Sequence, residues 1–290
     1  MSAIANDVSA TIQSWSGSVG NARWNVHLGD SRAVLDTLPA ASFQCAVTSP
    51  PYYCLRDYGV DGQIGLEDTV DEYVIAIADV MDSVRRVLAP DGLLFLNLGD
   101  TYYSGKGKSH GEDRKSSKRR FGLRAVDKSG GLGIGIRQKS LIGVPWRVAF
   151  ELTRRGWVLR SSVIWHRKHA LPEAVLDRPR RNYEYVFILA QQRSYYFNRA
   201  ALTDVHLEED VWTIPARPRP SPVETAPYPD ELVQTCLNLG CPPSGAVLDP
   251  FLGSGTTVRV AVASGRPATG IDLNSTFCAY AVQQLEALCT

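Results

Sequence analysis

An α/β fold on a mainly parallel sheet is predicted by three features of this chain. Strand-like and helix-like patterns alternate along it, proline or glycine closes most of the segments, and polar residues stand where two of the strands end. The run 43–47 reads as a buried strand, and it stops at Ser49 because Pro50 and Pro51 have no N–H to continue a ladder. Tyr73, Ile77, Val80, Val84 and Val87 recur at helical spacing, Pro90-Asp91-Gly92 ends that helix, and 93–98 is the next strand. A helix over 146–155 stops at Gly156 and a strand over 157–165 follows. The aromatic-rich runs 185–189 and 195–197 predict a terminal antiparallel hairpin. Near the C-terminus, strand 246–248, helix 258–263 and strand 269–271 complete the alternation, which places helices on both faces of the sheet.

Composition bounds the rest. A chain of 290 residues with 44% hydrophobic content can bury a large core. No run of eighteen apolar residues occurs, and residues 1–20 lack a basic stretch leading into an apolar one, so a cytoplasmic protein with no membrane partner is expected. The six cysteines form no Cys-x-x-Cys pair and no Cys/His cluster, which supports reduced thiols and no metal site. Residues 1–22, small and polar, are expected to form a flexible N-terminal segment.

Two stretches interrupt the alternation. The insertion 104–140 carries Lys106, Lys108, Arg114, Lys115, Lys118, Arg119, Arg120, Arg124, Lys128, Arg137 and Lys139 against Glu112, Asp113 and Asp127, in a chain whose net charge is only +1. Such a run suits a solvated loop or a phosphate backbone, whose counterions it would release. The stretch 203–229, with Pro215, Pro218, Pro220, Pro222, Pro227 and Pro229, is expected to be a stiff surface crossing.

Two strings carry the chemistry. In Leu248-Asp249-Pro250-Phe251-Leu252-Gly253-Ser254-Gly255-Thr256-Thr257, Asp249 ends a strand, the glycines permit a tight turn and Thr256 opens a helix. Asp272 ends the following strand, where a carboxylate can accept ribose hydroxyls. By themselves these residues leave a dinucleotide and another adenosine cofactor equally open. The second string, Thr48-Ser49-Pro50-Pro51-Tyr52-Tyr53, suits a flat base bearing an amine. A conjugated exocyclic amine is a poor nucleophile until acceptors draw its hydrogens aside. The Ser49 hydroxyl and the Pro50 carbonyl, fixed by Pro51, supply two, and Tyr52 supplies a ring on which an extruded base can stack.

With both strings in this order, the chain resembles the β-class amino-methylating DNA methyltransferases over about residues 25–280, with the catalytic motif ahead of the cofactor motif. His27-Leu28-Gly29-Asp30, Asn97 through Tyr102, Gly143 through Arg147, Trp165 through Glu173, Arg180 through Tyr185 and Asp210 through Pro215 fall where that family has further motifs. The resemblance implies a Rossmann-like S-adenosylmethionine methyltransferase fold in permuted order and a catalytic domain over 23–290. The insertion and the Pro-rich crossing would contact DNA. Ser49, Pro50, Pro51 and Tyr52 would be catalytic. Asp30, Asp249, Phe251, Gly253, Ser254, Gly255, Thr256, Asp272 and Asn274 would hold S-adenosylmethionine, with Asp249 and Asp272 facing one adenosine.

Ser-Pro-Pro-Tyr resembles the cytosine-N4 branch, whereas Asp-Pro-Pro-Tyr typifies adenine-N6 enzymes. Site-specific cytosine-N4 methylation of double-stranded DNA is therefore expected, with adenine-N6 methylation as the alternative and a non-catalytic nucleic-acid binder on the same fold behind it. Carbon-5 methylation needs a nucleophilic cysteine in a Pro-Cys pair, and Cys241-Pro242 has the reverse order. Glu224 stands where the family places a histidine, and Arg167-Lys168 replaces a common Lys-Pro; no catalytic role is assigned to either site. A cognate restriction endonuclease is an expected partner, and the enzyme is expected as a monomer or homodimer.

Overall fold

In the computed structural model, residues 12–103, 136–168, 175–203, 209–216, 223 and 227–289 are described. Among these residues nine strands form one sheet: β1 (Gln13–Val19), β2 (Ala22–Leu28), β3 (Phe43–Thr48), β4 (Leu88–Leu98), β5 (Val158–Lys168), β6 (Tyr183–Ala190), β7 (Val211–Pro215), β8 (Val247–Asp249) and β9 (Ala268–Asp272). Their spatial order is β1-β2-β9-β8-β3-β4-β6-β5-β7. The run β2-β9-β8-β3-β4 is parallel throughout, as is the β5/β7 pair, while β1 and β6 are antiparallel to their neighbours.

Among the described residues, six α-helices cover the sheet. Residues of α1 (Ser31–Thr37), α2 (Val70–Val87) and α3 (Val144–Arg154) pack into the core on one face. Those of α4 (Asp230–Gly240), α5 (Thr256–Ala263) and α6 (Ser275–Glu286) fill the other. The helix foreseen from Tyr73 to Val87 begins slightly earlier, because Thr69 and Glu72 form a capping box: the Thr69 side chain accepts from the Glu72 N–H while the Glu72 carboxylate accepts from the Thr69 N–H.

Four expectations need correction. Residues 13–22 are not a flexible segment, since β1 pairs along its full length with β2 through a tight turn at Gly20, whose φ is 57°. Small polar composition concealed a two-stranded ribbon whose outer strand needs few apolar side chains. The hairpin partner of β6 is not 195–197: β6 lies between β4 and β5 and is antiparallel to both, so its apolar residues are buried from two sides. Pro90-Asp91-Gly92 does not separate helix from strand but bulges within β4, whose register with β3 jumps from Phe43↔Leu88 to Cys45↔Leu93. Within 203–229, residues Val211–Pro215 form edge strand β7, and Trp212 and Ile214 are 2% and 3% exposed, so this piece belongs to the core. The insertion 104–140 lies outside the described residues up to 135, as do Pro218, Pro220, Pro222 and Glu224.

The order of the strands decides where a ligand goes. From β3 the chain crosses to β4 on one side, and from β8 it crosses to β9 on the other, so the connections diverge between β3 and β8. That divergence opens a crevice at the carboxyl ends of the strands.

Candidate active site

The two strings distant in sequence meet at this crevice. Thr48, ending β3, donates its hydroxyl to Asp249 Oδ1 at 2.7 Å, tying the two strand ends together. Asp249 also accepts the Tyr228 hydroxyl at 3.2 Å and the Phe251 N–H at 3.1 Å. Thr257 donates to the Tyr228 hydroxyl oxygen, and its Oγ1 lies 3.2 Å from the Val47 carbonyl. Asp249 is 1% exposed and burial pushes its pKa up, opposed by the hydrogen bonds it receives. Its carboxylate therefore braces the loop that follows β8, behind the residues that line the cavity.

A cavity of about 580 Å³ fills the crevice. At one end its wall contains Asp30, Phe251, Gly253, Ser254, Thr256, Asp272, Asn274 and Phe277. Asp272, at the tip of β9, accepts the Gly253 N–H and the Asn274 N–H, both at 2.8 Å, and burial raises its pKa to about 6. Asp30 caps α1 by accepting from the Arg32 and Ala33 N–H groups, and Asn274 caps α6 through Thr276 and Phe277. Gly255 stands behind the wall, where its φ of 85° starts α5 and a Cβ would lie 2.8 Å from the Ala281 Cβ. Asp30, two residues beyond β2, and Asp272, ending the neighbouring β9, offer acceptors to hydroxyls, while Phe251 and Phe277 offer apolar faces to a purine. Paired carboxylates would repel a phosphate placed between them. This end accordingly fits an adenosine carrying free ribose hydroxyls, as S-adenosylmethionine does.

The opposite end holds the proline string. Ser49, Pro50, Pro51 and Tyr52 all line the cavity. The Tyr73 hydroxyl donates to the Pro51 carbonyl at 2.8 Å, which fixes the backbone of the turn. Tyr52 lies against Gly99, where a Cβ would come within 2.6 Å of its ring. The Tyr52 hydroxyl donates to Glu184 Oε2 at 2.6 Å and accepts from Asn97 Nδ2 at 2.8 Å. Asn97 Nδ2 donates to the same Glu184 oxygen at 2.8 Å, and Arg167 holds the other, Oε1, at 2.7 Å. The Ser49 hydroxyl donates to the Tyr52 oxygen at 3.3 Å. Burial, followed by the Glu184 charge, raises the Tyr52 pKa well above the ordinary phenol value. Asn97 Oδ1 is a buried acceptor without a partner among the described residues.

Asn97, Arg167 and Glu184 had no role assigned from sequence, although each lies in or beside a family motif. Glu184 left a signal: a single acid within the apolar run Tyr183-Glu184-Tyr185-Val186-Phe187 must find a partner when the strand is buried. Asp100, by contrast, is structural. Its carboxylate accepts the N–H groups of Thr101, Gly143 and Val144 and so caps α3 in place of the absent Gly143 side chain. Trp157 and Trp165 are core residues, and Trp165 also borders the cavity while donating its Nε1–H to the Ile214 carbonyl. His27 pairs with Ser14 on β1 and His166 with Thr213 on β7, both away from the cavity wall. No His/Cys/Asp/Glu cluster suited to a metal occurs among the described residues, and none of their helices is long and apolar enough to cross a membrane.

Residues 43–283 match a family model described as DNA methylase. The chain is 39% identical to the type II methyltransferase M.SmaI of Serratia marcescens over 266 residues, covering 89% of each chain. It is 38% identical to the type II methyltransferase M.Cfr9I of Citrobacter freundii, covering 89% of this chain and 86% of that one. Among solved structures, the PvuII DNA methyltransferase (cytosine-N4-specific) superposes with a TM-score of 0.69 at 18% identity, over 90% of this chain and 86% of that one. The M1.HpyAVI complex with S-adenosylmethionine superposes with a TM-score of 0.54 at 15% identity, over 90% and 98%. At these identities the two structures speak for the fold.

Proposed function

This chain belongs to the DNA methylase family, and from that premise we propose that it methylates the N4 amine of cytosine in a specific DNA sequence. It is a DNA amino-methyltransferase that uses S-adenosylmethionine. The observation that carries the finer assignment is Ser49 at the cavity wall, a hydroxyl where adenine-N6 relatives typically have a carboxylate.

S-adenosylmethionine supplies the electrophilic methyl group. Asp30 and Asp272 would accept hydrogens from its sugar, Phe251 would pack on its purine, and Gly253, Ser254 and Thr256 would shape the turn beside it. Ser49 Oγ and the Pro50 carbonyl accept the two amine hydrogens of the target, so that the nitrogen lone pair is free to attack. Tyr52 forms part of the surface that receives the base after it leaves the duplex, at a cost of a few kcal/mol for unstacking and unpairing. The amine proton departs after methyl transfer, which requires no strong general base at the site. The basic insertion 104–140 and the Pro-rich crossing hold the DNA backbone. From the likeness to type II methyltransferases we infer a restriction-modification setting, and we propose a cognate endonuclease as partner and the cytoplasm as location.

The test is methyl transfer to unmethylated DNA followed by mass analysis of the released nucleosides. N4-methylcytosine is expected. N6-methyladenine would move the target to the other branch, and no methylated nucleoside would remove the catalytic reading.

A further inference from the structure

We propose that Glu184 is a positioning residue that sets the direction of the Ser49 hydroxyl, making Ser49 an obligatory acceptor and the site selective for an amino over an oxo group. The inference rests on the reading that Ser49 meets the target amine. A serine hydroxyl can donate or accept, so Ser49 alone discriminates poorly between an amine, which donates, and a carbonyl, which accepts.

The surrounding hydrogen bonds remove that freedom. Paired with Arg167 at 2.7 Å, the Glu184 carboxylate offers only acceptors. The Tyr52 hydroxyl, 2.6 Å from Oε2, must then spend its one proton on Glu184. Asn97 is constrained likewise: its two Nδ2 hydrogens go to Glu184 and to the Tyr52 oxygen, each at 2.8 Å, and a flipped amide would set two acceptors against each other. With its proton spent, the Tyr52 oxygen can only accept from Ser49, at 3.3 Å. Asn97 Nδ2 lies 3.4 Å from Ser49 Oγ, but both of its hydrogens are committed to shorter bonds. The Ser49 proton is thus committed to the Tyr52 oxygen, and its lone pairs remain for the substrate. The raised Tyr52 pKa keeps the phenol protonated and the sequence of donors intact across neutral pH.

Glu184→Gln should release the chain. Arg167 still demands an acceptor, so the new carboxamide turns its oxygen to Arg167 and its NH₂ to Tyr52. Asn97, now facing a donor, turns its own oxygen toward that NH₂, so Tyr52 is no longer bound to give its proton to residue 184 and the Ser49 hydroxyl is no longer held to one direction. Tyr52→Phe reaches a similar state by deleting the acceptor while leaving the Glu184–Arg167 pair in place.

The experiment begins by mapping the site that the wild-type enzyme methylates. Duplexes are then made with the target base in its amino or its oxo form, cytosine against uracil, or adenine against hypoxanthine if the mapped base is adenine. An abasic position opposite the target makes extrusion cost the same in both duplexes. Affinity is measured with S-adenosylhomocysteine bound, and retained S-adenosylhomocysteine affinity shows that each variant is folded. Wild type should prefer the amino duplex, and both Glu184→Gln and Tyr52→Phe should shrink that preference roughly tenfold, the scale of one hydrogen bond made or left unmet. Combining either change with Ser49→Ala should alter the ratio no further than Ser49→Ala alone. If both variants weaken the two duplexes equally, the network is only structural and the proposal is overturned. Because the base is mapped beforehand, that result is distinguishable from failure of the cytosine assignment.

Discussion

Replacing Asp272 by Asn tests the cofactor end through its pH dependence. Burial holds the Asp272 pKa at about 6, against an ordinary value of 3.8, while the backbone N–H groups of Gly253 and Asn274 oppose the shift. Two pKa units correspond to about 3 kcal/mol, and solvent at the partly open carboxylate trims this to about 1–2 kcal/mol. The sign follows from the raised folded value: relative to the unfolded chain, the unliganded protein is favoured below about pH 4 and loses that advantage as the pH rises through 6. Binding runs the opposite way, because ribose hydroxyls need the ionised carboxylate as acceptor. If only the ionised form binds, S-adenosylmethionine affinity should fall about tenfold between pH 7 and pH 5. Asp272→Asn should weaken binding at pH 7 by about 1–3 kcal/mol and flatten the profile between pH 5 and 7. Titration calorimetry across that window reads both effects. A flat wild-type profile, or the same slope in wild type and variant, would refute the reasoning.

Three further perturbations separate the remaining parts. Ser49→Ala should lower the single-turnover methylation rate far more than cofactor affinity, whereas Tyr52→Ala should weaken base capture by about 1–3 kcal/mol and be partly restored by a mismatch opposite the target; equal restoration of both variants would abolish this division. Neutralising Lys118, Arg119 and Arg120 together should weaken DNA binding and reduce the salt slope by about 3 while sparing cofactor affinity, and an unchanged slope would return the insertion to a solvated loop. Gly99→Ala places a methyl group 2.6 Å from the Tyr52 ring, so it should displace that ring and slow methylation with little change in melting temperature; unaltered single-turnover kinetics would show that the Tyr52 position is uncritical.

Much of the parallel half of the fold was legible because its signals are local. The strand ending at Ser49 stops for want of N–H donors at Pro50 and Pro51, and α2 follows from apolar residues at helical spacing. The errors arise where pairing, not periodicity, decides. Residues 13–19 lack an apolar face because β1 is an edge strand with solvent along much of it, and β2 supplies its order. Residues 185–189 could pair with any neighbour of suitable length; only burial between β4 and β5 selects their place. Trp212 and Ile214 sit among prolines, yet pairing with β5 carries them into the core.

The site shows the same division between local and distant causes. Asp30, Gly253, Asp272 and Asn274 could be placed from sequence because each acts at the end of its own strand or the start of its own helix. Asp249 looked equivalent to Asp272, since both are acids ending strands of one parallel pair. What distinguishes them is Thr48, 201 residues away in sequence, whose hydroxyl occupies the Asp249 carboxylate. Glu184 is the converse case, a residue without a local motif role that becomes decisive through Tyr52, 132 residues earlier, and Asn97, 87 residues earlier. Three strands, β3, β4 and β6, must be neighbours before those side chains can meet, and β6 must run antiparallel to place Glu184 near the carboxyl ends of the other two. The direction of one serine proton is thus set by sheet topology, which explains why a tetrapeptide motif can mark the reacting group yet cannot by itself specify what that group will accept.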